Sequence, residues 1–232
     1  MWIETKCSLE LDYGQATPII LMLRPRSGAG QWVARESWDF SRPVDVIEFT
    51  DGFGNLCQKL TVPPDGFQVE TAALVQTTTG VDPGDGAVFN DVLSLPEEVY
   101  PFLRPSRYCE SDRLGAQALQ IAGDALPGYD QVAKIVEWIR AEVAYVPGSS
   151  SMPRSAGEIV STGQGVCRDL AHLGVAMSRS ISIASRYVVG YLHGLEPMDL
   201  HAWFEVYVGG RWYTFDPTQD SLEGAQIGRA HV

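Results

Sequence analysis

Cys167 is the residue of this sequence whose surroundings best suit nucleophilic chemistry. It follows a glycine-rich turn at residues 163–166 and begins a segment whose apolar residues have helical spacing. Unpaired N–H groups and the helix dipole at such an N-terminus stabilise a thiolate, and the positive charge of Arg168 favours the same state. A small buried cysteine at a tight turn would give the same pattern, so the local sequence leaves both interpretations open.

A cysteine nucleophile needs a base, and His201 is the best placed histidine. It begins an alternating segment that turns at Gly209 and Gly210 into a second segment ending at Asp216. If the two glycines form a two-residue loop, His201 faces Thr218, and Asp216 is its diagonal neighbour on the same face of the hairpin. That carboxylate would hold one ring nitrogen and leave the other for the thiol.

The other three histidines are weaker candidates. His172 lies five residues after Cys167, about 140° around the helix, and therefore points away from the thiol. His193 follows a strand end and His231 is next to last in the chain, and neither has an obvious orienting partner.

Cys167, His201 and Asp216 together have the residue types of an acyl-transfer site, namely a nucleophile, a base and an orienting carboxylate. A zinc site is a second interpretation, since all three side chains ligate zinc, but no further cysteine or histidine stands at ligand spacing. A third is an exposed polar patch on the hairpin, although Trp203 and Tyr207 share its face and favour burial.

Four segments of the second half, taken in order, resemble the bacterial transglutaminase-like cysteine peptidase family. They are residues 165–173 (GVCRDLAHL), 186–192 (RYVVGYL), 201–207 (HAWFEVY) and 215–218 (FDPT). Further likeness lies at residues 23–26 (LRPR), 51–55 (DGFGN) and 105–112 (PSRYCESD), so the resemblance covers nearly the whole chain.

The resemblance implies that Cys167 is the nucleophile, that His201 is the general base and then the acid, and that Asp216 orients His201. It implies a papain-like fold with the cysteine helix packed on an antiparallel sheet, and it suggests no cofactor and no metal. Calcium is not expected, because no Asp-x-Asp-x-Asp-Gly loop is present. For the oxyanion, the backbone N–H of Cys167 is one donor, with Gln164 or Tyr145 as a second.

These residues must be positioned by an α+β fold, in which an N-terminal antiparallel β-sandwich precedes a papain-like, transglutaminase-like α+β catalytic domain. The expected domains are residues 1–103, ending in a Gly- and Pro-rich linker at 78–96, and residues 104–232. Residues 218–232 have too few large apolar residues for a buried helix or a strong strand, so we expect the catalytic domain to be truncated and its end extended.

Periodicity predicts the elements of both halves. Strands are expected at residues 3–11, 18–23, 32–40, 44–50, 56–62, 67–76, 186–192, 201–208 and 211–215, and helices at 111–126, 132–143 with Asp130 as cap, 156–160 with a Ser155–Glu158 capping box, and 167–179.

Composition and charge argue against some classes of binding partner. The chain has 17 Lys and Arg against 29 Asp and Glu, a net charge of −12, and its basic residues are scattered, which argues against nucleic acid and anionic membrane. It contains no apolar run of 18 residues and no signal-peptide pattern, so a cytoplasmic protein is expected. Four cysteines without a CxxC pair give no disulfide framework. The oligomeric state is not encoded.

The function expected from these features is a cysteine-dependent amide hydrolase that forms a thioester with a peptide or protein substrate. Acyl transfer to an amine, as in a protein-glutamine transglutaminase or an arylamine acyltransferase, would use the same three residues, and so would a glycan-removing amidase. A catalytically idle scaffold that binds a partner is the alternative of a different class. An intact set of nucleophile, base and carboxylate argues against it.

Overall fold

The computed structural model describes residues 1–28, 30–78, 84–219 and 226–231. The described residues form two compact units, and the chain passes from one to the other several times. The first unit lies within Met1–Gly80, Val189–Leu200 and Glu223–His231, and the second within Val81–Val188 and His201–Leu222. The domain boundary expected between residues 103 and 104 remains a prediction. It divides the chain at one position, whereas each compact unit is made of several separate segments.

The described chain contains twelve strands, four α-helices and two 3-10 helices. The strands are β1 (Trp2–Leu11), β2 (Thr17–Leu21), β3 (Gln31–Phe40), β4 (Ile47–Thr50), β5 (Leu56–Val62), β6 (Phe67–Thr77), β7 (Ala144–Tyr145), β8 (Gln164–Gly165), β9 (Ser185–Leu192), β10 (His201–Val208), β11 (Arg211–Phe215) and β12 (Gln226–His231). The helices are α1 (Gly115–Ala122), α2 (Tyr129–Glu142), α3 (Ala156–Thr162) and α4 (Cys167–Ser180), with 3-10 helices at Val92–Ser94 and Glu97–Leu103.

Two three-stranded antiparallel sheets make up most of the first unit. Their strand orders are β1-β6-β3 and β2-β5-β4. Side chains alternate between buried and exposed along β6, as expected for a strand with one face on a core. The buried residues of this core are Leu21, Leu23, Leu60, Val62, Phe67 and Val69. The N-terminal β-sandwich predicted from period-two patterning is confirmed, except that β4 begins at Ile47 rather than residue 44.

β12 belongs to the first unit and is the neighbour of β9. Two side-chain amides bond its backbone in the manner of a partner strand: Gln31 exchanges hydrogen bonds of 2.8 and 3.0 Å with Gly228, and Asn55 exchanges two of 2.8 Å with His231. Ile227 is fully buried. The expected extended conformation is found at residues 226–231, but these residues form a buried strand, because contacts distant in sequence supply what its own residues lack. Residues 220–225 and 232 lie outside the described residues.

The DGFGN segment builds the support for Asn55. The Asp51 carboxylate accepts hydrogen bonds from the backbone N–H groups of Phe53 and Asn55, both at 2.8 Å, and from the Asn55 amide at 2.9 Å. These bonds outweigh partial burial and hold the pKa of Asp51 below its usual value. Arg26 of the LRPR segment donates to the Gly54 carbonyl at 2.8 Å. The two early family-like segments thus meet in one loop.

The second unit is organised around α4. Most of this helix is buried, and its residues Leu170, Leu173, Ala176 and Met177 belong to the core of the unit. α4 packs on β10, where Gly174 meets the ring of Phe204 so closely that a β-carbon at residue 174 would overlap the ring. In this unit β11, β10 and the first residues of β9 are neighbouring strands. The predicted α+β class is therefore confirmed.

α1 is shorter than the helix predicted over residues 111–126. Residues 111–113 form turns instead, in which Ser111 and Arg113 donate backbone hydrogen bonds to Cys109 and Glu110. Gly123 ends the helix, with its N–H bonded to the Leu119 carbonyl.

The expectation that Asp130 caps α2 is wrong. Gly128 is the N-cap, and its N–H donates to the Gln131 side chain at 3.3 Å. Asp130 lies one residue inside the helix, where its carboxylate accepts from the N–H of Gly86 at 3.2 Å. The negative charge still lies in the first turn, where the helix dipole favours it. The capping box of Ser155 and Glu158 at α3 is confirmed.

The segment expected to be a linker, residues 78–96, is only partly a connector. Residues 79–83 lie outside the described residues. After them, the 3-10 helices place Leu95, Val99 and Phe102 in a small core with Ala184. No helix of the described residues is long and apolar enough to cross a membrane.

Candidate active site

Cys167 is the first residue of α4 and is half-buried. The start of the helix is held by Asp169, whose fully buried carboxylate accepts from the N–H of Val166 at 3.2 Å. The other carboxylate oxygen accepts from the N–H of Arg154 at 3.4 Å, which ties the segment before α3 to the first turn of α4. Cys167 is thereby fixed at the positive end of the helix dipole.

The Arg168 side chain is bonded to groups around the start of α4. Its guanidinium donates to the carbonyl and hydroxyl of Ser150, both at 3.0 Å, and pairs with Asp169 at 3.4 Å. The side chain therefore fastens the loop at residues 149–154 to the helix. Its positive charge is partly neutralised by the buried carboxylate.

His201 and Asp216 are brought together by the β10–β11 hairpin. The strands pair with Val208 opposite Arg211 and Phe204 opposite Phe215, in the register expected from the sequence. Gly209 and Gly210 have φ values of 57° and 83°, and a two-residue hairpin loop of type I′ requires positive φ at both positions.

The two side chains are bonded and buried. His201 Nε2 lies 2.6 Å from Asp216 Oδ2, and the residues are 3% and 1% exposed. This bond uses one ring nitrogen and leaves Nδ1 as the nitrogen for a second partner. Trp203 stacks beside the imidazole with ring centroids 6.1 Å apart, which favours the buried site over an exposed polar patch.

Electrostatics favour the protonated form of His201. Burial alone would lower its pKa, but hydrogen bonding and charge interactions with Asp216 and with Cys167 outweigh burial and raise the pKa to about 9. His201 thus interacts with both the carboxylate and the thiol. All three residues belong to the second unit.

Two residues beyond these three hold the carboxylate segment. Thr218 bonds Asp216 through both its hydroxyl and its N–H. Arg140, in the last turn of α2, donates to the carbonyls of Asp216 at 2.7 Å and Pro217 at 3.4 Å, and also to that of Gln219. The hairpin register had placed Thr218 opposite His201, whereas no sequence signal pointed to Arg140.

His172 is kept apart from this chemistry. It is stacked between Tyr108 and Tyr187, with centroid distances of 5.3 and 4.7 Å. Desolvation lowers its pKa to about 4, so between about pH 4 and pH 9 His172 is neutral while His201 is protonated. His231 lies on β12 in the first unit, and His193 is exposed in the turn after β9. Both agree with the expectation that His201 is the better candidate.

The two candidates for the second oxyanion donor, Gln164 and Tyr145, lie on the short parallel strands β8 and β7. β8 ends two residues before Cys167. Gln164 pairs with Ala144, and Tyr145 pairs with Gly165. Tyr145 is 52% exposed, so its side chain is accessible beside the segment that leads into Cys167. Within the described ranges, no group of three or more Cys, His, Asp or Glu side chains is arranged to hold a metal ion.

Comparison with known proteins identifies the superfamily of this chain. Residues 116–217 match the family model described as the transglutaminase-like superfamily, a range that contains Cys167, His201 and Asp216. A crystal structure from Cytophaga hutchinsonii, described as a "Putative Cysteine Protease", is 31% identical with a TM-score of 0.90, covering 100% of this chain and 84% of that one.

Relatives occur also in mycobacteria. ML0607 of Mycobacterium leprae is 27% identical over 211 residues, which cover 85% of this chain and 75% of the relative. Rv2569c of Mycobacterium tuberculosis is 33% identical over 98 residues, or 36% of this chain and 31% of the relative. With the family match and the full-length likeness to the Cytophaga structure, the chain belongs to the transglutaminase-like superfamily and is a cysteine-dependent enzyme of that superfamily.

Proposed function

We propose that this enzyme is a peptidase that hydrolyses amide bonds through a thioester, with Cys167 as nucleophile, His201 as acid and base, and Asp216 as the residue that orients His201. The observation that carries the proposal is the buried 2.6 Å bond between His201 and Asp216, on a histidine that also interacts with Cys167. This is the arrangement of roles in an acyl-transfer triad. The peptide or protein substrate is suggested by the likeness to a structure described as a cysteine protease.

The reaction begins with the thiolate of Cys167 and the imidazolium of His201. The sulfur attacks the amide carbonyl carbon, a C–S bond forms, and the carbonyl electrons move to oxygen. As the tetrahedral intermediate collapses, the C–N bond breaks and the proton of His201 passes to the leaving amine. The products of this half-reaction are a free amine, a thioester on Cys167 and a neutral imidazole.

Water completes the cycle. Neutral His201 takes a proton from a water molecule while the water oxygen attacks the thioester carbonyl. The C–S bond then breaks, the carboxylic acid leaves, and the thiolate and imidazolium are restored. Asp216 keeps the same ring nitrogen hydrogen-bonded in both half-reactions, so that the other nitrogen faces the reacting atoms throughout.

The proposal is tested with a library of end-blocked peptides analysed by mass spectrometry, with and without an added primary amine. Hydrolysis adds one water at the cleaved bond, whereas a product that carries the amine would establish acyl transfer instead. We expect cleavage by the wild type and by Cys109→Ala, and none by Cys167→Ala. A folded wild type that traps no acyl group and cleaves no peptide would favour the idle scaffold. The cytoplasmic location remains a prediction.

A further inference from the structure

The Asp216 carboxylate is bonded at both oxygens. Oδ2 faces His201 Nε2 at 2.6 Å, while Oδ1 accepts two hydrogen bonds from Thr218, 2.7 Å from the hydroxyl and 2.9 Å from the backbone N–H. A carboxylate with one oxygen fixed by two donors cannot rotate about its terminal bond without breaking both. The orientation of the oxygen that faces His201 is therefore set from the opposite side by Thr218.

The backbone that carries Thr218 is itself held. Arg140 donates to the carbonyls of Asp216, Pro217 and Gln219, so one guanidinium binds the main chain on either side of Thr218. A planar guanidinium with several fixed donors suits such a role better than a flexible ammonium. Arg140 therefore helps to fix the main chain that carries the two Thr218 donors.

We propose that Thr218 is a positioning residue of the catalytic site, which fixes the rotation of the Asp216 carboxylate and through it the ring of His201. This role rests on the proposed function, since it matters only if the pair serves the thiol of Cys167. The Thr218 hydroxyl also lies 3.4 Å from His201 Nε2, on the same edge of the imidazole as the carboxylate. The hydroxyl therefore occupies the place that a rotated carboxylate oxygen, or a water molecule, would otherwise take.

Three variants separate positioning from packing. Thr218→Val keeps the size and shape of the side chain but removes the hydroxyl, whereas Thr218→Ser keeps the hydroxyl. The matched control is Thr214→Val on β11, which removes a hydroxyl from a residue paired with Glu205 in the same hairpin. Thermal unfolding of each variant shows that it is folded.

Two readouts need no substrate. The titration midpoint of His201, followed by NMR of its ring protons, should fall by about one pH unit in Thr218→Val, because a carboxylate that is free to rotate away from the ring stabilises the imidazolium less. The rate of Cys167 alkylation by iodoacetamide at neutral pH should fall about tenfold for the same reason. Thr218→Ser and Thr214→Val should match the wild type in both measurements.

Asp216→Asn distinguishes failure of this inference from failure of the proposed function. If Asp216→Asn lowers both readouts and Thr218→Val does not, the triad stands and the role of Thr218 is overturned. If Asp216→Asn changes neither readout, the triad itself is wrong and the role of Thr218 falls with it. An equal loss in Thr218→Val and Thr218→Ser would show that the methyl group or packing matters rather than the hydroxyl, which also overturns the proposal.

Discussion

The proton on His201 links the chemistry of the site to the stability of the fold. Its pKa is raised to about 9 in the folded protein, from 6.5 in an exposed imidazole, so the folded state holds this proton more tightly than the unfolded chain. The stability gained from this group is therefore complete below about pH 6.5 and is lost as the pH rises through about 9.

We accordingly expect the free energy of unfolding to fall between these two pH values, as measured by urea denaturation in a pH series. Asp216→Asn should flatten this dependence, because it removes the interaction that raises the pKa. His193→Gln is the matched control, since His193 is exposed in a turn. An Asp216→Asn variant with the slope of the wild type would contradict the interpretation.

The four free cysteines should differ sharply in reactivity. Burial raises the pKa of Cys57 and Cys109, which makes the reactive thiolate rarer at both positions. Cys167 alone begins a helix and interacts with a protonated histidine. In iodoacetamide labelling at neutral pH, followed by peptide mass spectrometry, we expect Cys167 to react at least about tenfold faster than the other three.

His201→Gln is the internal control for this labelling, because it should slow Cys167 and leave the remaining cysteines unchanged. Protection of Cys167 in the folded wild type, or equal labelling of all four cysteines, would refute its assignment as nucleophile.

At the residue scale, the sequence predicts those side-chain contacts that follow from local spacing. The pairing of His201 with Asp216 follows from a two-glycine loop and strict alternation, both of which are local. Arg140 could not have been found, because it meets the Asp216 segment across 76 positions of sequence and binds carbonyl groups, which every residue has. The role of Asp169 was also missed, since a carboxylate in a first helical turn is an ordinary feature.

At the scale of elements, the packing of α4 on β10 decides how Cys167 lies relative to His201. α4 begins with Cys167 and β10 begins with His201, and the two elements touch where Gly174 lies against Phe204. Phe204 is fully buried, so it has little room to move aside. A side chain at residue 174 must therefore push the helix and the strand apart.

Gly174→Ala should lower the free energy of unfolding by about 2 kcal/mol, despite the better helix propensity of alanine, because overpacking a dense core costs more. It should also slow the alkylation of Cys167 by increasing its distance from His201. Gly115→Ala is the matched control, since a β-carbon there meets only ordinary contact, 3.5 Å from the Ser180 carbonyl. If Gly174→Ala is as stable and as reactive as Gly115→Ala, the close approach does not constrain the site.

Element boundaries were predictable where a strong local signal ends the element. β5, β10 and β11 have the predicted bounds, because turns with glycine or proline close each of them. The ends of α1 were misjudged, since a helical pattern continues into residues 111–113 although their N–H groups are used in turns. Whether these residues form a helix or turns depends on contacts with neighbouring segments, and periodicity does not reveal those contacts.

At the scale of the whole molecule, the first unit depends on two buried amide contacts to β12. Asn55 is fully buried and bonds both the N–H and the carbonyl of His231. Asn55→Ala leaves two backbone groups of His231 and one oxygen of Asp51 without these partners. We expect it to lower the free energy of unfolding by about 3 kcal/mol, as measured by urea denaturation.

Gln15→Ala, an exposed amide in the same unit, should change stability by less than about 0.5 kcal/mol. Gln31→Ala should destabilise in the direction of Asn55→Ala, since it removes the matching contacts to Gly228. An Asn55→Ala protein as stable as Gln15→Ala would show that β12 is held by its other contacts.

Periodicity predicts a β-rich first part of the chain and an α+β second part. It does not predict which segments belong to which compact unit. The change of period after residue 78 marks where helices begin. It does not show that residues 189–200 and 226–231 belong with the strands before it. Ile227 has an ordinary apolar side chain, and the amides that hold its strand lie 197 and 176 positions away from the residues that they bond.

Because the chain alternates between the two units, its gene cannot be divided at one point into a part for each unit. Between Cys167 and His201 the polypeptide contributes residues 189–200 to the unit formed mainly by the first eighty residues, and then returns. A recombination event at a single position between residues 81 and 222 would therefore separate at least one strand of the first unit from the rest of that unit. A gene fragment beginning near residue 84 would encode Ile227 without most of its apolar neighbours. Unlike modules that are shuffled as consecutive gene segments, the first and second units are therefore expected to be gained, lost and duplicated together.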